Sequence, residues 1–419
     1  VIEIKNIFQF DFDNIPIDTF WNTGTDKESK MHRIHAYPAK FPAFITTKAI
    51  EYMIGRKQKI EKIADIFCGC GTVALEARRH NINFWGCDIN PVATLIAKAK
   101  SFDYNLPKLN NYFDSIVGSF YNNGIHIDYE SAPSRIKYWY SEVAYTDLMR
   151  LKNSIDLNIP HNNKYKYFFL CAFSNILKNT SRWLTKSIKP QIDPRKKSSD
   201  VLTSFELQYK FMKKAVLEST ITGVSNVNIY TGNFLDSKLE KPIVDLIVSS
   251  PPYVTSYEYA DLHQLSTLWL GYKNDYRELR EGSIGSLYHI SNLSDSIEQL
   301  NSTGRSIVSE LMKNNNPKAR SVAKYFLDMQ QVANSCRQMV SKNGSTLFVL
   351  GNTEYGGVKI DNVKHLCESL KLSGFEEIRV SKRTVSGKIL TPYRDKKGRF
   401  SSNSKNRKVY AEEFIIMGN

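Results

Sequence analysis

The stretch "DIFCGCGTVALEA", residues 65–77, decides how this 419-residue chain is read. It begins at the end of the apolar run "KIADIF" (62–67), passes two glycines, Gly69 and Gly71, and enters a helical pattern, "VALEARRH" (73–80). Glycine is needed where a chain turns sharply and bare backbone must face a ligand, and the small Ala74 lets the helix lie close to the sheet. A second apolar run, "NFWGCDI" (83–89), follows. The order strand, glycine turn, helix, strand implies parallel pairing. The second strand ends at Asp88, a carboxylate placed to accept hydrogen bonds from a ribose diol. Glycine turn and strand-end acid together predict a site for an adenosine-containing cofactor; the plainer alternative is a tight structural turn beside a solvated acid.

Working outward, residues 1–30 have no clear period and form an arm expected to pack on the main body. A loop, "HRIHAYPAKFPAF" (32–44), and a helix, "ITTKAIEYMIG" (45–55), lead into the first strand, so residues 31–100 make the cofactor-binding first half of the domain. Residues 101–220 break the alternation. Their large apolar residues fall at helical spacing in "IKYWYSEVAYTDLMRLKNSI" (136–155) and "YKYFFLCAFSNILKNTSRWL" (165–184), predicting a helical insertion, a candidate recognition region. Alternation returns over 221–419 with "NVNIYTGNF" (226–234), "IVDLIVSSPPY" (243–253), a long helix around 323–340 and "STLFVLGN" (345–352). The last two strands, in "FEEIRVSKRT" (375–384) and "VYAEEFIIMG" (409–418), are joined without a helix, which predicts an antiparallel pair.

The run ending at Ser250-Pro251-Pro252-Tyr253 carries the second chemical signal. Proline lacks a backbone donor and fixes φ, so the pair ends a buried strand in a stiff corner at the edge where open α/β sheets place ligands. There a hydroxyl, a carbonyl acceptor and an aromatic face share one rigid site. The alternative is a proline turn that simply closes a strand.

Glycine turn and Ser-Pro-Pro-Tyr corner, in this order on these elements, resemble the amino-group DNA methyltransferases. The nucleotide loop of that family, Asp-x-Phe-x-Gly-x-Gly, is matched by Asp65, Phe67, Gly69 and Gly71, and its catalytic motif by Ser250 to Tyr253. The resemblance covers about 31–100 and 225–419. It implies an α/β, Rossmann-like, seven-stranded, mostly parallel sheet with an antiparallel last strand and a helical insertion. It also implies transfer of a methyl group from S-adenosylmethionine to the exocyclic amine of a flipped base in double-stranded DNA. Serine at the first motif position favours cytosine-N4 over adenine-N6, with an RNA base methyltransferase and a catalytically silent DNA-binding relative as alternatives. "HAYPAKFP" (35–42) looks like the family's upstream cofactor segment, with His35, Lys40 and Phe41 as candidates. Asn233 lies where the family contacts the cofactor's adenine amine, although aspartate is more usual there. Cytosine-C5 chemistry is disfavoured independently, because it needs a thiolate usually presented as Pro-Cys and none of the six cysteines follows a proline.

The net charge of +15 suits a polyanionic partner. One basic loop, 182–197, includes Arg195, Lys196 and Lys197; a second, 382–408, includes Lys396, Lys397 and Arg399, with Tyr393 and Phe400 interleaved as a nucleic-acid groove requires. The opposing reading is a pair of solvated faces. "CGC" at 68–70 has no second Cys/His pair at ligand spacing, so no metal is expected. Cysteines within apolar stretches, no signal peptide and no membrane-length apolar run predict a soluble, cytoplasmic, prokaryotic-type protein with no membrane partner.

Overall fold

A computed structural model describes residues 1–419 apart from 23–26, 38–39, 41, 123, 188, 220–222, 253, 255–258, 286–292, 315, 385–392, 395–399, 402–406 and 409–411. Its centre is an eight-stranded sheet of β1 (Ile2–Glu3), β2 (Lys62–Asp65), β3 (Asn83–Asp88), β4 (Val227–Thr231), β5 (Val244–Ser249), β6 (Val340–Leu350), β7 (Ile378–Thr384) and β8 (Glu412–Gly418). Their spatial order is β1-β7-β8-β6-β5-β2-β3-β4. From β6 to β4 all pairings are parallel. β8 lies inside the sheet, antiparallel to both β6 and β7.

The expected count of seven strands is corrected to eight, and reversal is not confined to the last strand, because β1 also runs antiparallel to its neighbour β7. The added strand is two residues long and has no alternating pattern to betray it. It is held by the Ile4 N–H on the Ile378 carbonyl (2.8 Å) and by burial of Ile4, Ile7, Phe12 and Ile15. The arm so covers an otherwise open strand edge.

Period-two alternation puts both sheet faces in cores. Ile63, Leu246, Val248, Leu347, Val349 and Ile415 meet α1 (Phe44–Gly55), α2 (Thr72–Arg79) and Ala97 of α3 (Pro91–Ser101) on one face. Ala64, Ile247, Phe348, Leu350 and Ile416 meet the helices Asn316–Met339 and Asn362–Leu372 on the other. Residues 101–220 carry α4 (Leu106–Asn122), α5 (Ser134–Trp139), α6 (Glu142–Asn158), α7 (Lys164–Ile176) and α8 (Val201–Leu217). The longer of these start at side-chain caps: Ser141, Asn163 and Asp200 each accept a backbone N–H of the first turn. They enclose a separate core that includes a Phe113–Tyr209 stack (centroids 4.0 Å apart) and reaches the sheet layer through Val92, Ile96 and Ala99 of α3. The basic segment 382–408 contributes three two-residue strands, Tyr393–Arg394, Phe400–Ser401 and Arg407–Lys408, with the first in the middle. Lys396, Lys397 and Arg399 lie outside the described residues.

After β2 the chain turns through Gly69 (φ 47°) and Gly71 (φ 76°), closed by the Gly71 N–H on the Cys68 carbonyl at 2.8 Å. A Cβ on Gly71 would sit 2.7 Å from both Cα and Cβ of Ala97, so the glycine sets how closely α2 and α3 approach. Gly71→Ala combines left-handed backbone strain with overpacking and should cost about 2–4 kcal/mol in denaturant unfolding. Gly118→Ala is the control. Nothing lies within 4 Å of its added methyl in α4, and it should leave stability unchanged or raise it by up to about 1 kcal/mol. Equal losses in the two variants would contradict this reading of the turn.

Candidate active site

The carboxyl ends of β2, β3, β4 and β5 lie side by side, with Asp88 opposite Thr231 and Ala64 between Trp85 and Ile247. From β2 the chain winds outward to β3 and β4, then returns to β5 on the other side of β2. That reversal is a topological switch point, the place where ligands bind in open α/β sheets.

Asp65 ends β2 and is almost fully buried, 1% exposed. Its Oδ1 accepts from the Ser249 hydroxyl at 2.6 Å and from the Phe67 N–H at 3.1 Å, so one carboxylate oxygen joins the last residue of β5 to the glycine turn. Burial pushes its carboxyl up to about 7 against these two hydrogen bonds. Ser249 was not singled out from sequence, although it immediately precedes the Ser-Pro-Pro corner.

Asp88, at the end of β3, is half-buried. Its two oxygens accept the backbone N–H groups of Asn90 (2.8 Å) and Gly69 (2.9 Å), which binds the second strand to the turn. Burial raises its pKa and these two donors oppose the rise. Each oxygen keeps a further lone pair for a ligand hydroxyl. Phe67 packs edge-on to the buried Phe234 with centroids 6.5 Å apart, and burial pushes the thiols of Cys68 and Cys87 up, so they serve as neutral packing groups. Lys100, fully buried in α3, donates to Cys70 Sγ at 3.2 Å from beneath the turn.

Other candidates sit differently from the expectation. Asn233 uses its Oδ1 on the Leu235 N–H (2.9 Å) and its Nδ2 on the Gly282 carbonyl (3.0 Å), so it anchors the 280–285 segment beside the site. Lys40 Nζ donates to Glu28 (3.2 Å) and to the His32 carbonyl (3.0 Å). His35 is buried against Ser174, and burial lowers its pKa to about 4. The residue of this segment that meets the glycine turn is Tyr37: a Cβ on Gly69 would lie 3.6 Å from its hydroxyl, and its ring stacks on His263 at 5.1 Å. Sequence reading singled out the segment but passed over this tyrosine. Ser250 is half-buried, Pro251 buried and Pro252 half-buried; Tyr253 and Phe41 lie outside the described residues.

Of the three basic candidates in the 182–197 loop, Arg195 and Lys197 are exposed but Lys196 is not a free cation. Its Nζ donates to the carbonyls of Lys178 and Trp183, both at 2.8 Å, and burial lowers its pKa to about 8. It is a staple inside the loop. Among the described residues no cluster of His, Cys, Asp and Glu converges as a metal site, and no helix is long and apolar enough to cross a membrane.

An open α/β sheet here carries a glycine turn, a strand-end acid and a polar Pro-Pro corner together at its switch point, the arrangement expected of a nucleotide-cofactor site beside a second subsite. Comparison with known proteins narrows this class. A family model described as DNA methylase matches residues 5–99. The Type II methyltransferase M.MvaI of Kocuria varians is 24% identical over 369 residues, covering 80% of this chain and 79% of its own. M.AvaI of Nostoc is 23% identical over 381 residues, covering 80% and 77%. An rRNA methyltransferase structure from Streptomyces viridochromogenes aligns over 81% of this chain and 92% of its own, but at 10% identity and a TM-score of 0.26 it carries no argument. These matches support an amino-group (N4/N6) DNA methyltransferase family, which implies S-adenosylmethionine as the methyl donor. The residues fit that group: two glycines leave bare backbone at the turn, and Asp88 retains acceptor capacity next to it.

The raised pKa of Asp65 has a definite sign. In the unfolded chain its carboxyl ionises near pH 4, in the folded protein near 7. The stability it contributes is therefore complete below about pH 4 and lost as pH rises through 7, a change on the order of 4 kcal/mol. Asp65→Asn keeps an acceptor oxygen and removes the titration. Urea unfolding from pH 4 to 8 should show the variant gaining on the wild type by a few kcal/mol across that window. Parallel curves would mean that Asp65 ionises normally.

Proposed function

We propose that this protein methylates the exocyclic amine of a base flipped out of double-stranded DNA, with cytosine-N4 as the target. The observation that carries the reading is the Ser250-Pro251-Pro252 corner at the end of β5, joined through Ser249 and Asp65 to the glycine turn. An exocyclic amine is a weak nucleophile because its lone pair is delocalised into the ring. Acceptors at the Ser250 hydroxyl and the Pro251 carbonyl would take its two hydrogens and turn the lone pair out of conjugation, while Tyr253 stacks on the base. The Pro-Pro pair keeps these acceptors still, and positioning is most of what such a transfer requires. S-adenosylmethionine supplies the electrophilic methyl group. Asp88 would hold its ribose and Gly69 and Gly71 would let it lie against the backbone. Serine at the first motif position supports cytosine over adenine.

The basic segments supply the DNA contacts in this reading. Arg195 and Lys197 present exposed side chains, and Lys396, Lys397 and Arg399 belong to the second segment.

Incubation with labelled S-adenosylmethionine and duplex DNA, followed by nucleoside analysis, should yield N4-methyldeoxycytidine. Ser250→Ala should slow single-turnover transfer by about 100-fold, comparable to losing one preorganised hydrogen bond, with little change in DNA affinity. Label on adenine N6 would correct the target base, whereas a methyl on a ring carbon or transfer to RNA alone would overturn the proposal.

Neutralising Lys396, Lys397 and Arg399 together should weaken binding to all duplex sequences alike and lower the salt slope by roughly 0.9 per lost phosphate contact. Lys196→Gln should leave the slope unchanged, because that ammonium is already spent on two carbonyls. Fluorescence anisotropy across a potassium chloride series measures both, and an unchanged slope in the triple variant would return the second segment to a solvated face.

A further inference from the structure

The family model stops at residue 99, before the helical insertion. Yet the insertion makes its most specific polar contacts with three consecutive residues of the cofactor-side segment. The Ile34 carbonyl accepts from Gln208 Nε2 of α8 at 2.6 Å, and the Ala36 N–H donates to Asn175 Oδ1 of α7 at 3.0 Å. Between them, the His35 ring bonds Ser174 Oγ of α7 at 2.9 Å. The two clamping amides are themselves joined, Asn175 Nδ2 to Gln208 Oε1 at 2.8 Å, and Ser174 passes the chain on to Ser266 at 2.7 Å.

Burial holds His35 neutral near pH 7, so its two contacts define one tautomer: Nδ1–H donates to the Ala36 carbonyl (2.9 Å) and Nε2 accepts from Ser174. Serine Oγ, having donated to the ring, accepts from Ser266. The side chains of this network, His35, Ser174, Asn175 and Gln208, are satisfied in one arrangement, so the segment has a single register against α7 and α8. The next residue is Tyr37, which stands over Gly69 of the turn and stacks on His263.

We propose that Asn175, Gln208 and Ser174 are positioning residues for the cofactor: the insertion sets Tyr37 as one wall of the S-adenosylmethionine site. This rests on the cofactor reading of the glycine turn. It assigns a part of the chain read from sequence as a DNA-recognition module to the cofactor pocket as well. Asn175 and Gln208 need not touch the cofactor; they act through residues 34–36.

Calorimetric titration of the full chain with S-adenosylhomocysteine tests this without reference to turnover. Tyr37→Ala should weaken binding, and Asn175→Ala and Gln208→Ala should each weaken it roughly 3- to 10-fold, the range for one hydrogen bond. Asn175→Asp keeps an oxygen for the Ala36 N–H but loses the donor to Gln208, and should recover part of that loss, which a general loss of packing would not allow. Amide exchange at Ala36 should speed up in Asn175→Ala, KM for S-adenosylmethionine should rise with kcat nearly constant, and DNA affinity should stay within about twofold. A folded Asn175→Ala or Tyr37→Ala protein with wild-type affinity overturns the proposal. If Asp88→Ala also binds at wild-type strength, the failure lies deeper, in the placement of the cofactor at this turn. Should the alanine variants fail to fold, Gln208→Glu decides: it loses its donor to Ile34 and must bind more weakly, and wild-type affinity in that variant overturns the proposal.

Discussion

A single carboxylate oxygen, Asp65 Oδ1, holds the two chemical halves of this site together. It receives the Ser249 hydroxyl from one strand and the Phe67 N–H from the turn after another, at 2.6 and 3.1 Å. Neighbouring parallel strands are already in register through their backbones, but a ladder says nothing about the loops beyond the strand ends. The Asp65 joint ties the last residue of β5, just before the Ser-Pro-Pro corner, to Phe67 at the start of the glycine turn. Asp88 repeats the device on the other side, tying Gly69 and Asn90 through its two oxygens. Both acids are raised by burial. The protein thus tolerates two costly carboxyls to fix loop geometry, a pattern expected where position matters more than stability.

What could be read in advance was what depends on backbone rules. Gly69 and Gly71 adopt positive φ, and Pro251-Pro252 cannot extend a ladder; such constraints act within a few residues and leave a mark in the local sequence. Asp88 ends the strand that the apolar run 83–89 predicts. Long-range satisfaction was not legible. Lys196 and Lys197 are adjacent and alike in sequence, but one caps two carbonyls and the other is exposed. Lys40 likewise answers to Glu28 and the His32 carbonyl. The strand Ile2–Glu3 is too short for any periodicity and exists because the edge of β7 needs cover. Contacts such as Gln208 to Ile34 join residues 174 positions apart, and no local pattern encodes them.

The helical insertion looks in two directions from one core. At its far end the Trp139–Trp183 stack, with centroids 5.0 Å apart, and the Arg182 N–H on the Trp139 carbonyl secure the base of the 182–197 loop. At the near end Ser174, Asn175 and Gln208 grip residues 34–36. Phe168, Phe169, Phe173 and Phe205 are fully buried between these ends. Close-packed aromatics have few alternative arrangements, so the two ends keep a fixed relation.

The chemistry of the near-end grip has its own logic. Apolar contact would have stabilised the segment equally well, since burial is indifferent to direction, but it would have allowed residues 34–37 to slide by one position with little penalty. A slip of one position would move Tyr37 away from Gly69. Directional bonds to a carbonyl, a ring and an N–H on three successive residues oppose that slip, because a shifted register breaks all three and strands the buried His35–Ser174 pair at roughly 1–3 kcal/mol. The clamp is polar because its task is to choose a register, and the tyrosine over the glycine turn is where that choice is expressed.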